Sequence, residues 1–83
     1  MSEVELNVGM IIKNMRLSAK LSQQQLADKM ILARTTISSY EVNNSQPDFN
    51  TFLKICKFCG FEFELFKNGE KIDLKEMSKE KDY

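Results

Sequence analysis

Two cysteines invite a chemical reading first. Cys56 and Cys59 spell C-x-x-C, a spacing used by zinc sites and by dithiol redox centres. Zinc needs about four ligands, and the chain has neither a second such pair nor any histidine. A redox centre needs a strand-helix-strand setting, whereas both cysteines recur with Phe49, Phe52 and Leu53 at helical spacing. They are therefore expected to pack in a core as reduced thiols, a zinc shared between two chains being the one metal arrangement left open. No metal or other cofactor is expected. Ser38, Ser39, Tyr40 and Glu41 cluster, but no base is poised beside a nucleophile, and no carboxylates pair across a cleft. Catalysis is the weakest class for these residues, and the chain is not expected to be an enzyme.

What remains is hydrogen-bonding chemistry. Between Leu21 and Gln46 the chain carries Gln23, Gln24, Gln25, Arg34, Thr35, Thr36, Ser38, Ser39, Asn43, Asn44, Ser45 and Gln46. These are donors and acceptors suited to recognising another polar surface.

The elements that must hold them follow from caps and periodicity. Asn7 is a helix N-cap, with Val8, Ile12 and Met15 a turn apart behind it, so the first helix should run over about Val8 to Ala19. Ser22 followed by Gln25 fits a capping box, and Leu26, Ala27 and Met30 form the apolar side of a second helix. A short break at Ile31-Leu32 leads to a third helix from Arg34 to Val42, with Ile37 inward. Asn43 to Pro47 is a polar loop, Asp48 caps a fourth helix, and Gly60 sits where a helix-ending glycine belongs. After Gly60 the period becomes two. Phe61, Phe63 and Leu65 alternate with Glu62, Glu64 and Phe66, Asn68-Gly69 is a hairpin signal, and Glu70 to Leu74 reads as a returning strand. The division expected is an N-terminal lead (1–7), a helical domain (8–60), a β segment (61–74) and a frayed, charged tail (75–83).

Two short helices separated by so brief a break must cross steeply, which leaves the start of the second one projecting. At this point the sequence resembles the phage-repressor and Cro-like, XRE-type helix-turn-helix family. The likeness covers about Val8 to Gly60. It rests on L-S-Q-x-x-L-A at Leu21 to Ala27, T-I-S-x-Y-E at Thr36 to Glu41, Pro47, and L-K-I-C-K-x-C-G at Leu53 to Gly60. It implies a mainly α, lambda-repressor-like domain of four to five helices, here with a short C-terminal β-strand or hairpin. It also implies double-stranded DNA as partner, with Arg34, Thr35 and Ser39 reaching base edges. Gln23, Thr36, Ser38, Asn43, Asn44, Ser45 and Gln46 take positions that meet phosphates. Arg16 and Glu41 match a structural ion pair tying the first helix to the third.

Three departures stand out. Ile31 occupies a turn where the family often has glycine, so the turn is expected to be built differently. Ala33 replaces a capping Ser or Thr. The loop from Val42 to Gln46 has no Lys or Arg, which predicts a shallow salt dependence.

Charge tempers the DNA reading. The chain has 12 basic and 12 acidic residues. Up to Gly60, however, seven basic residues face five acidic ones, and the acidic excess lies beyond. A local basic face is compatible with zero net charge. Phe61, Phe63, Leu65, Phe66 and Ile72 are expected to form a dimer interface, by joining strands of two chains in one sheet, although an intrachain hairpin also fits. That segment weakly resembles the C-terminal strand of HipB-type antitoxins. The leading expectation is a homodimeric repressor on a palindromic operator. Alternatives are an antitoxin that also binds a toxin protein, and an interaction module that keeps the fold without binding DNA. No apolar run is long enough for a membrane span, and an acidic N-terminus argues against a signal peptide, so the cytoplasm is the expected compartment.

Overall fold

Side-chain caps begin most of the helices. In the computed structural model, which describes residues 5–80, Asn7 accepts a hydrogen bond from the Met10 backbone and starts α1 (Val8–Ser18). Ser22 and Gln25 form both halves of the capping box that opens α2 (Gln23–Met30). α3 (Arg34–Glu41) follows Ala33, which provides no side-chain cap. Asp48 accepts from Thr51 and starts α4 (Phe49–Phe58). The first and third helices each end one residue earlier than their periodicity suggests, at Ser18 and Glu41, because Ala19 and Val42 serve as C-caps. Residues 1–4 of the expected N-terminal lead and 81–83 of the expected tail lie outside the described residues.

Ile12, Met15, Leu26, Ala27, Ile37, Ile55, Cys56 and Cys59 form one core shared by the four helices. Ile12, Leu26, Ile37 and Ile55 are fully buried, each worth about 1.5–3 kcal/mol of transfer free energy. Both cysteines are free thiols in this core, and burial pushes their pKa values up, away from reactivity. The stripe expected on the fourth helix needs one correction. Phe49 stays exposed and meets the Phe63 ring edge-on at 5.4 Å between centroids, so it joins the C-terminal segment instead. Ile55 takes the inward place.

The turn between α2 and α3 is also corrected. Ile31 adopts the left-handed conformation (φ 56°, ψ 48°) that its β-branched side chain disfavours. Two backbone bonds hold it there, Leu32 N–H to the Ala27 carbonyl at 2.9 Å and Ile31 N–H to the Asp28 carbonyl at 3.2 Å. These satisfy the Ala27 and Asp28 carbonyls in the last turn of α2 and set the steep exit to α3. The side chain is 90% exposed and contributes little packing in return. Ile31→Gly should therefore stabilise the domain by about 1 kcal/mol, the relief of strain exceeding glycine's entropic cost. A thermal melt checks this, and an unchanged or lower midpoint would show that the isoleucine is not strained.

The C-terminal segment forms a smaller sheet than its alternation suggests. β1 (Leu65–Lys67) pairs antiparallel with β2 (Glu70–Ile72), with Leu65 opposite Ile72 and Lys67 opposite Glu70. Asn68 and Gly69 both have positive φ, as a two-residue hairpin turn requires. Phe61 to Glu64 have no ladder partner among the described residues. The returning strand stops at Ile72 because the Asp73 side chain accepts from Lys75 and Glu76 and opens a short helix, α5 (Leu74–Met77). The start of the expected frayed tail is thus helical. No helix among the described residues is long and apolar enough to cross a membrane.

Candidate nucleic-acid interface

The site is built outward from a buried ion pair. Arg16 in α1 grips Glu41 in α3 with two bonds, Nε to Oε2 at 2.6 Å and Nη2 to Oε1 at 3.0 Å. Its Nη1 donates to the Leu21 carbonyl at 2.8 Å, in the link between α1 and α2. Both residues are 7% exposed. The hydrogen bond to Glu41 holds the Arg16 pKa above its ordinary value. Burial pushes the Glu41 carboxyl upward, but hydrogen bonds from Arg16 and Gln23, with the charge of Arg16, outweigh it and leave the pKa lowered.

Gln23, the first residue of α2, connects this pair to the surface. Its Nε2 donates to Glu41 Oε1 at 3.0 Å, and its Oε1 accepts from Arg34 Nη1 at 3.2 Å. The side chain expected at a phosphate therefore has both ends engaged within the chain. Arg34 and Thr35, expected at base edges, are exposed at the start of α3, and Thr36 and Ser38 are half-buried behind them. The third expected base reader, Ser39, shares a hydrogen bond with Ser45 (Oγ to Oγ 2.8 Å), while the Asn44 N–H donates to the Ser39 carbonyl at 2.9 Å. The loop is thereby fastened to the end of the helix. Asn44 and Gln46 are exposed on it.

Asn43, expected at a phosphate, also makes bonds within the chain. It takes a left-handed backbone (φ 61°), which asparagine tolerates. Its Oδ1 accepts from the Gly9 N–H at 2.9 Å and its Nδ2 donates to Asn7 Oδ1 at 2.7 Å. The two asparagines clasp the start of α1 to the end of α3. Sequence reasoning missed Gly9 in this contact, although an isolated glycine in a helical pattern is itself a signal of close approach.

Residues 12–66 match the family model described as Helix-turn-helix. The chain belongs to the XRE-type helix-turn-helix family. Its α2 and α3 are the helix-turn-helix pair, and α1 and α4 are the scaffold that holds their crossing. The chain is also similar to the Uncharacterized HTH-type transcriptional regulator YqaE of Bacillus subtilis (strain 168), 30% identical over 59 residues. That alignment covers 71% of this chain and 51% of the relative, so the chain spans about half the length of the curated protein it matches. No solved structure matches it. Within this helix-turn-helix module, the C-terminal hairpin begins at the edge of the family match, which ends at residue 66.

Proposed function

We propose that this helix-turn-helix protein is a sequence-specific DNA-binding transcriptional repressor, working in the cytoplasm as a homodimer on a palindromic operator. The observation that carries the reading is the exposed start of α3, where Arg34 and Thr35 project from a helix anchored behind by Ile37 and Glu41. A rigid helix with an arginine at its projecting end suits the major groove, where a guanidinium can fork onto guanine O6 and N7. Thr36, Ser38, Asn44, Ser45 and Gln46 flank it as neutral phosphate partners, with Ser39 as a further base reader. Asn43 uses its amide oxygen on Gly9 and one amide N–H on Asn7, which leaves its second N–H for a phosphate.

Selection from a random-sequence duplex pool tests this reading. The full chain should enrich a motif with two-fold symmetry, its half-sites about 34–36 Å apart, and enrichment of no motif would defeat the reading. Arg34→Ala should weaken binding to that motif by about 1–3 kcal/mol and relax preference at one base pair per half-site. A variant that binds every sequence as wild type does would remove Arg34 from the readout.

Dimerisation is supported by the C-terminal segment. Phe61, Phe63, Leu65 and Phe66 are each at least 40% exposed, a large apolar patch for so small a domain. Ile72 lies half-buried opposite Leu65, and the unpaired stretch before β1 has a free edge for a second chain. Sedimentation equilibrium should give a dimer for the full chain and a monomer for Phe66→Lys. A wild-type monomer would remove the two-half-site geometry.

A protein-interaction module that does not read DNA is the second reading. The zero net charge and the in-chain bonds of Gln23, Asn43 and Ser45 favour it. The same selection experiment separates the two.

A further inference from the structure

We propose that two copies of this chain join edge to edge through β1, antiparallel and in a register centred on Leu65, a register that rests on the reading of this segment as the dimer contact and deepens it. Each copy brings its β1-β2 pair, so the joined sheet runs β2-β1-β1-β2.

The hairpin decides which edge groups are free. A two-residue turn closes on a hydrogen-bonded pair, here Lys67 with Glu70, and such pairs alternate along an antiparallel ladder. Leu65 and Lys67 therefore turn their N–H and C=O groups toward β2. Phe66 turns its own outward, and Glu64 follows as the next alternate residue. β2 is the sole ladder neighbour of β1 among the described residues, and Phe61 to Lys67 are exposed throughout.

A two-fold axis normal to the sheet sets this edge against its copy in antiparallel sense. Outward-bonding residues must face outward-bonding residues, which leaves a short set of registers. Centring on Glu62 or Glu64 places two carboxylates directly opposite, and centring on Phe63 places Glu62 against Glu64 on both sides of the axis. Like charges so placed are destabilising. Centring on Phe66 pairs only residues 65–67 before the turn at Asn68-Gly69 intervenes, and leaves Phe61 and Phe63 uncovered.

Centring on Leu65 pairs residues 63–67 of one protomer with the same residues of its partner. Leu65 meets Leu65, Glu64 meets Phe66 and Phe63 meets Lys67, with no like charges opposite. Glu64 keeps its own ion pair with Lys71, Nζ to Oε2 at 3.0 Å. The two Phe66 rings lie diagonally across the join, within reach of one another. On the other face the Leu65 pair adjoins Phe63 and Ile72. The join covers side chains that a single copy leaves 40% (Leu65), 42% (Phe63) and 59% (Phe66) exposed. Phe66→Lys loses the ring contact and sets a second ammonium opposite Lys71, in keeping with the monomer expected of it.

Cysteine scanning of the full chain tests the register. Opposite residues at a non-hydrogen-bonded pair have Cα atoms about 4.5 Å apart, inside the range a disulfide spans. Leu65→Cys should therefore pass largely into a disulfide-linked dimer in a glutathione redox buffer, read on a non-reducing gel. The same substitution at Phe66 sets the thiols on a diagonal about 8 Å apart, and at Phe63 about 13 Å apart, so neither should cross-link appreciably. All three positions lie outside the core, and native Cys56 and Cys59 are 5% and 6% exposed, so the fold and the background are unaffected. As a second arm, Glu64→Pro removes an outward N–H and no bond to β2, and should be a monomer by sedimentation equilibrium where wild type and Glu64→Gln are dimers.

Cross-linking that is strongest at Phe63 or Phe66 would overturn the register, as would a wild-type dimer that cross-links at none of the three. A Glu64→Pro chain that dimerises as wild type does would overturn the edge-to-edge join. A wild-type monomer would overturn the dimer reading itself, and the register with it.

Discussion

Arg16→Ala should cost the domain about 3–5 kcal/mol of stability, the range seen when one partner of a buried ion pair is removed. The loss has several sources. Glu41 would be left charged at 7% exposure, with the Gln23 amide as its remaining side-chain hydrogen bond and the charge of Lys13 as a weaker support. The Leu21 carbonyl would lose its donor, and the link from α1 to α2 would lose a tie. Small domains have a total stability of about 5–15 kcal/mol, so the variant should be largely unfolded at elevated temperature. Urea denaturation of Arg16→Ala, Glu41→Gln and the double Arg16→Met, Glu41→Leu variant measures this. The double variant should recover much of the loss, because it leaves no unpaired charge behind. A loss below about 1 kcal/mol in Arg16→Ala would mean that the pair behaves as an exposed one.

The same pair predicts an acid limb. The Glu41 carboxyl has a folded-state pKa below its ordinary value, since the bonds from Arg16 and Gln23 outweigh the opposing effect of burial. A depressed carboxylate pKa adds stability that is fully present above the unfolded-state value of about 4.3 and is lost as pH falls through the folded value. Stability should therefore be flat near neutral pH and fall below about pH 4.5. The fall should be shallower in Glu41→Gln, which has no proton to take up at that position.

Gly9→Ala should destabilise by about 3 kcal/mol, at the upper end of the usual cost of overpacking. A Cβ at this position would lie 2.5 Å from both the Tyr40 and Glu41 carbonyl oxygens and 2.8 Å from the Glu41 carbonyl carbon. All three are backbone atoms, so no side chain can swing away, and α1 would have to lift off the end of α3. That movement would also stretch the bond from the Gly9 N–H to Asn43 and open the asparagine clasp. The sign of the effect is diagnostic. Glycine to alanine inside an uncrowded helix normally stabilises by about 1 kcal/mol. A variant with a raised melting temperature would show that the two helices do not approach this closely.

Much of this molecule can be read locally. Asn7, Ser22 with Gln25, and Asp48 start helices by bonds that span three residues, and Asn68-Gly69 turns a hairpin by its own backbone preferences. Such signals depend on neighbours in the chain, so residue order alone determines them. Family membership was legible for a related reason, because the motifs from Leu21 to Glu41 lie in one continuous stretch.

Other features depend on how the helices cross. Ile31 is left-handed because the α2 carbonyls and the exit to α3 demand it, against the preference of the residue. Ile55 is buried and Phe49 exposed, since the face of α4 turned to the core runs through Ile55, Cys56 and Cys59 while Phe63 meets its start. Gly9 is tight only because α3 ends against it, and Asn43 closes back on residues more than thirty positions earlier. Gln23 is the clearest case. As a residue type at the start of a helix it suits a phosphate, but the fold sets an acceptor on one side and a donor on the other. Caps and turns are short-range hydrogen bonds, whereas these contacts exist only once packing has brought separate helices together.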